Sequence, residues 1–311
     1  MFAASLFAQN SVQPIQWENQ VSAATANAKA TLRPLLVYVP GDSESRSSDL
    51  DRQQQRALRD PTVIAIVNAR FVPLRLPQTS QSRPVLDVLG LPTQYGMYLA
   101  ALPPGALENP EGHTKIALID PMTMASSASL IRSLTTAYRT YGASIYEAQI
   151  KPLFESESPT DANINKALTV IGEFIVEQAD DDVIKLLETH GDNKRMRKSI
   201  LETLARISTT KSTNHLFEMA VAGDREAQMA LGTITPDMAE QVLLPKLRSE
   251  KEEERYPAYK ALTDVFNIKP VRNEKWWERI REIQRDKELQ MITDKVKADA
   301  DQWRQTYGRI R

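Results

Sequence analysis

Asp42, Glu44, Asp49 and Asp51, interleaved with Ser43, Ser45, Ser47 and Ser48, place four carboxylates and four hydroxyls in ten residues. Hard oxygen ligands of this kind suit Mg²⁺ or Ca²⁺. The spacing departs from the patterns that hold such ions, because Glu44 stands where an adhesion-type site wants a serine. Asp49 and Asp51 also lie too far beyond the preceding apolar run for a phosphatase-type start. Ser and Asp equally cap the first turn of a helix and suit its positive end, and that is the favoured reading. A metal-dependent enzyme or metal-binding protein using residues 42–51 is the alternative.

Thiol and phosphate chemistry are poorly served. The chain has no cysteine, so disulfides, thiolate nucleophiles and cysteine metal sites are excluded. The three histidines, His113, His190 and His215, show no paired spacing; His215 reads as a residue near a helix start. Gly41 stands alone, without the lysine a phosphate loop requires. Trp276-Trp277 sits among Arg279, Arg281 and Arg285, as a base-stacking patch would. Glu274, Glu278, Glu282 and Asp286 cancel that field. Adjacent tryptophans on a helix point about 100° apart, so one is expected in a core and the other partly exposed, packed at the end of the helical array. No cofactor is implied.

These residues must be carried by two domains. The 311 residues have a net charge of −1 and 41% hydrophobic content, a globular balance with no field for nucleic acid or anionic membrane. Charge shifts along the chain: residues 1–145 hold 12 Lys/Arg and 10 Asp/Glu, residues 146–311 hold 27 and 30. An α/β domain over 14–145, a linker over 146–160 and an all-α domain over 161–311 follow. Met1–Ala8 is a short apolar run that reads either as the end of a signal peptide, which would mean export, or as a disordered N-terminus with three hydrophobes, which leaves the compartment open. No stretch is long and apolar enough for a spanning helix.

In the first part, Leu35–Val39 and Phe71–Leu76 read as strands. Residues 53–59 and 62–68 read as helix interrupted at Asp60-Pro61. Met97–Leu102 and Lys115–Ile119 read as a hairpin, and Ser126–Tyr141 as a closing helix. In the second part, helical stripes recur: Ile164, Leu168, Ile171 and Ile175, with Asp161 as cap; Val183, Ile184 and Leu187; Met196, Ile200, Leu204 and Ile207. Helices this short bury their stripes only by stacking. Residues 274–307 lack Gly and Pro and predict one long helix. Its seam of Leu289, Ile292, Val296, Ala300, Trp303, Tyr307 and Ile310 either folds back on the preceding repeats or pairs two copies as a homodimer.

Ile15-Gln-Trp17, Ala24, Ala28, Arg33-Pro34-Leu-Leu-Val-Tyr-Val39, Asp60-Pro61-Thr-Val63, Asn68 and Phe71-Val-Pro-Leu74 resemble the thioredoxin-like fold over residues 14–142. That family carries two cysteines, two residues apart, after its first central strand. Here Ser45 and Ser48 have that mutual spacing, and a hydroxyl cannot exchange disulfides. Pro92-Thr93 looks like the counterpart of the family's cis-proline segment. The second part, through Asp181–His190 and Asn193–Ile207, resembles HEAT-like helical repeats, with units 25–30 residues apart. The two resemblances imply a redox-inactive platform beside a helical scaffold that binds protein or peptide. Ser45, Ser48, Pro92, Thr93, Trp276 and Trp277 are its candidate contact positions.

Overall fold

The computed structural model describes residues 13–40, 49–77, 79–91, 97–154, 159–279 and 282–307, with backbone alone at 278, 279, 282, 306 and 307. The run Met1–Ala8 lies outside the described residues. Two compact units divide the chain, one holding Met1–Tyr141 and the other Gly142–Arg309.

The first unit runs α1 (Val21–Thr31), β1 (Leu35–Val39), α2 (Asp49–Leu58), α3 (Pro61–Arg70), β2 (Val72–Arg75), α4 (Arg83–Val88), β3 (Tyr98–Leu102), β4 (Ala117–Ile119), α5 (Pro121–Met124) and α6 (Ser127–Ile145), which crosses into the second unit. Four strands form one mixed sheet in the order β2-β1-β3-β4. β1 pairs parallel with β2 (Leu35 opposite Val72) and antiparallel with β3 (Leu35 opposite Leu102), and β3 pairs antiparallel with β4 (Leu99 opposite Ile119). The outer edge of β2 is bridged by Glu18, whose N–H donates to the Pro73 carbonyl at 2.8 Å and whose carbonyl accepts from Arg75 N–H.

Every residue of β1 is buried, as a strand covered on both faces requires. Leu35, Val37 and Val39 join Leu74, Ala100 and Leu102 in a core completed by Ala24 and Ala28 of α1 and Leu86 of α4. The two alanines let α1 lie close on the sheet. Asp60 divides α2 from α3: its side chain accepts from Thr62 and Val63 N–H, and Pro61 takes the first helical position, where a missing N–H costs nothing.

The second unit is helical among the described residues. A π-helical turn (Tyr146–Ile150) and α7 (Lys151–Phe154) continue from α6. The expected linker at 146–160 is therefore helical as far as Phe154; residues 155–158 lie outside the described set. α8 (Asp161–Phe174), α9 (Asp180–His190), α10 (Lys194–Ile207), α11 (Thr210–Val221) and α12 (Arg225–Leu231) follow. The segment 236–246 holds α13 (Pro236–Met238), a π-helical turn (Ala239–Leu243) and α14 (Leu244–Lys246). α15 (Glu252–Val265), α16 (Glu274–Arg279) and α17 (Glu282–Tyr307) complete the chain.

Two rows emerge. α8, α10, α12 and α15 pack in succession, and α9, α11 and the 236–246 segment do so beside them, with α17 on α13 at the end. From α9 onward, polar bonds between successive pairs recur at a regular interval, whereas the α8–α10 bond from Thr203 to the Leu168 carbonyl spans 35 residues. Thr209 donates to Asp180 (29 residues apart), Lys211 to Asp181 (30), Arg197 to Asp224 (27) and Gln228 to the Pro257 carbonyl (29). Ser208 and Thr235 share a hydroxyl contact 27 residues apart.

Details differ from the expectation. Thr160, not Asp161, caps α8 by accepting from Asn163 N–H; the hydroxyl one residue earlier has the extended backbone a cap needs. Ile175 lies just past the helix with φ 54°, ending the stripe at Ile171. His215 sits inside α11 rather than near its start, because the Thr209–Ser212 capping box sets the start earlier.

Leu289, Ile292, Val296 and Ala300 are buried, while Trp303 is half-buried; the Tyr307 side chain and Ile310 lie outside the described residues. α17 lays this seam on α13, α15 and the turn between α13 and α14. Arg304 adds a polar anchor, donating to Asp237 at 2.9 Å and to Glu240 and Asp301. Glu240, with Asp301 and Asp237, holds the guanidinium more firmly protonated than an ordinary arginine. The seam is covered by the chain's own helices, the first of the two expected outcomes.

Gly142 is required by close approach. A Cβ there would lie 2.9 Å from Phe174 Cγ and 3.3 Å from its carbonyl oxygen. Gly142→Ala is expected to destabilise the second unit by about 1–3 kcal/mol through overpacking. A denaturant midpoint equal to wild type would show that Phe174 yields freely.

Candidate functional site

Tyr256 and Tyr259, three apart on α15, stand on one face of that helix with ring centroids 6.1 Å apart. Tyr259 is fully buried and meets Trp277 at 4.5 Å. Trp277 meets Trp276 at 6.2 Å. The two tyrosines also fasten the segment leading into α16. The Tyr259 hydroxyl accepts from Arg272 N–H at 2.8 Å, and the Tyr256 hydroxyl donates to the Arg272 carbonyl at 3.4 Å. Burial raises both phenols above the usual tyrosine range, so both stay protonated at neutral pH.

Asn273 starts α16 by accepting from Trp276 N–H at 2.8 Å. The adjacent tryptophans then diverge: Trp277 is 6% exposed and Trp276 is half-buried. The Arg272 guanidinium lies over the Trp276 ring, 4.8 Å from its centroid, with Nε 3.9 Å from a Glu288 oxygen. The result is a row of rings, buried at Tyr259 and Trp277, that ends at the surface in an indole carrying a cation. Such a surface offers apolar area, an indole N–H and a guanidinium, all suited to a protein or peptide segment. Among the described residues it presents no nucleophile with an adjacent base.

The expectation of one core and one partly exposed tryptophan therefore matches this geometry. Ser45, Ser48, Pro92 and Thr93 lie outside the described residues, as does the loop 42–48. Asp49 and Asp51 are described, and both occupy the first turn of α2, with Asp49 3.2 Å from Arg52. Sequence reasoning passed over Arg272, Tyr256 and Tyr259 as partners of Trp276-Trp277; the i, i+3 tyrosine pair was the available signal.

No protein-family model matches the chain, and no curated protein or solved structure matches it. The class supported directly is therefore a mixed α/β unit with a small sheet, followed by a helical unit. Among the described residues no helix is long and apolar enough to cross a membrane.

Proposed function

We propose that the chain is a non-catalytic interaction scaffold, with a redox-inactive thioredoxin-like domain and a HEAT-like helical repeat domain that binds protein or peptide. The 27–30 residue interval of polar bonds between successive helical pairs from α9 onward carries the reading. Contacts repeating at one period are what a stacked helical array produces, and such arrays present extended binding surfaces. The thioredoxin-like part is supported by strand order β2-β1-β3-β4, in which β3 alone runs against the others. The lack of cysteine takes from that fold the thiolate its redox chemistry needs.

Two measurements test this against catalysis. The purified protein is expected to reduce insulin disulfides no faster than a heat-killed control, and a faster rate would overturn the redox-inactive reading. Thermal melting with added Mg²⁺ or Ca²⁺ is expected to match melting without it. A rise of several degrees would favour a metal site at residues 42–51, since a ligand binding only the native state stabilises it.

A further inference from the structure

Asp180 is the first residue of α9 and is only 8% exposed. Its Oδ2 accepts a hydrogen bond from the Thr209 hydroxyl, the N-cap of α11. Its Oδ1 is buried with no hydrogen-bond partner, as is the Thr213 hydroxyl one turn further along α11. The surrounding charges compensate only in part. Asp181 on α9 and Glu177 in the preceding turn are like charges, and Lys211 of α11 pairs with Asp181. Asp182 accepts from Tyr146, and Arg206, at the end of α10, lies along Gly172 of α8.

We propose that Asp180 is a proton-operated latch between α9 and α11, closed as the neutral acid and loosened as the carboxylate. A buried carboxylate with one oxygen unbonded has lost its hydration without a replacement, whereas the acid leaves no net charge in the junction. Burial pushes the carboxyl up to about 6, with Thr209 and Lys211 pulling it partly back. A carboxyl in the unfolded chain titrates near 3.9. A folded value above the unfolded one gives stability that is complete below about pH 4 and is lost as pH rises through about 6. The junction is thus tightest in mild acid and loosens toward neutrality.

Asp180→Asn keeps an acceptor for Thr209 and removes the charge. Between about pH 5 and pH 7.5, the unfolding equilibrium constant of the wild-type helical unit is expected to rise roughly tenfold more than that of the variant. Hydrogen exchange in α9 and α11 should show the same divergence. Equal pH slopes for the two proteins would overturn the latch. If the variant fails to fold, carboxyl-carbon NMR of the wild type decides. Titration of Asp180 near 6 supports the proposal, and titration at or below 4.5 refutes it.

Discussion

Val296→Asp is expected to unfold the helical unit's terminal contact and lower its melting temperature by roughly ten degrees. Val296 is fully buried between Ile292 and Ala300, both also at 0% exposure. The substitution discards an apolar contact worth about 1.5–3 kcal/mol. It also leaves a carboxylate unpaired in a dry seam, and together these reach on the order of 3–5 kcal/mol. For a unit of this size each kcal/mol moves the midpoint by about 2–4 °C. Arg304 is already held by Asp237, Glu240 and Asp301, so its guanidinium is not free to compensate. Sedimentation is expected to give the same mass before and after the change. A variant that melts like wild type but loses a dimer would mean that the seam joins two copies.

The second large effect separates two neighbouring residues. Trp277→Ala is expected to cost about 3–5 kcal/mol, the range for truncating a buried large aromatic. It removes the ring packed on Tyr259 and opens a void beside α15. Trp276→Ala, at a half-buried position, is expected to cost about 1–2 kcal/mol, including the stack with Arg272, a contact worth about 0.5–1 kcal/mol when solvated and more when desolvated. Urea midpoints of the two variants measure the difference. Equal losses would place Trp276 in the core and remove the case for it as a contact residue.

Local rules made much of the first unit legible. Leu35–Val39 is a continuous apolar run closed by Pro34 and Pro40, and it is a strand over those same residues. Asp60-Pro61 marks a helix stop and start, and the chain divides there. Leu289, Ile292, Val296 and Ala300 kept a regular seam, and all are buried.

What escaped reading depends on residues far apart in sequence. Nothing near Gly142 signals that Phe174 will rest against it. Asp180 looks like any acidic residue at a helix start until Thr209 arrives from 29 residues away. Arg272 lies in a connecting segment without periodicity, so its place over Trp276 follows only from the tyrosines that fix its backbone. For the candidate site, Trp276 and Trp277 were visible as a pair, while their division of labour required the position of α15.

A photo-crosslinking residue in place of exposed Lys275 tests the scaffold account most directly. Irradiation in cells that make the protein is expected to give one discrete heavier species containing a second protein. Trp276→Ala should abolish that species while lowering melting by only a few degrees. No crosslinked species, or one that persists unchanged in the Trp276→Ala background, would contradict a binding role for this surface.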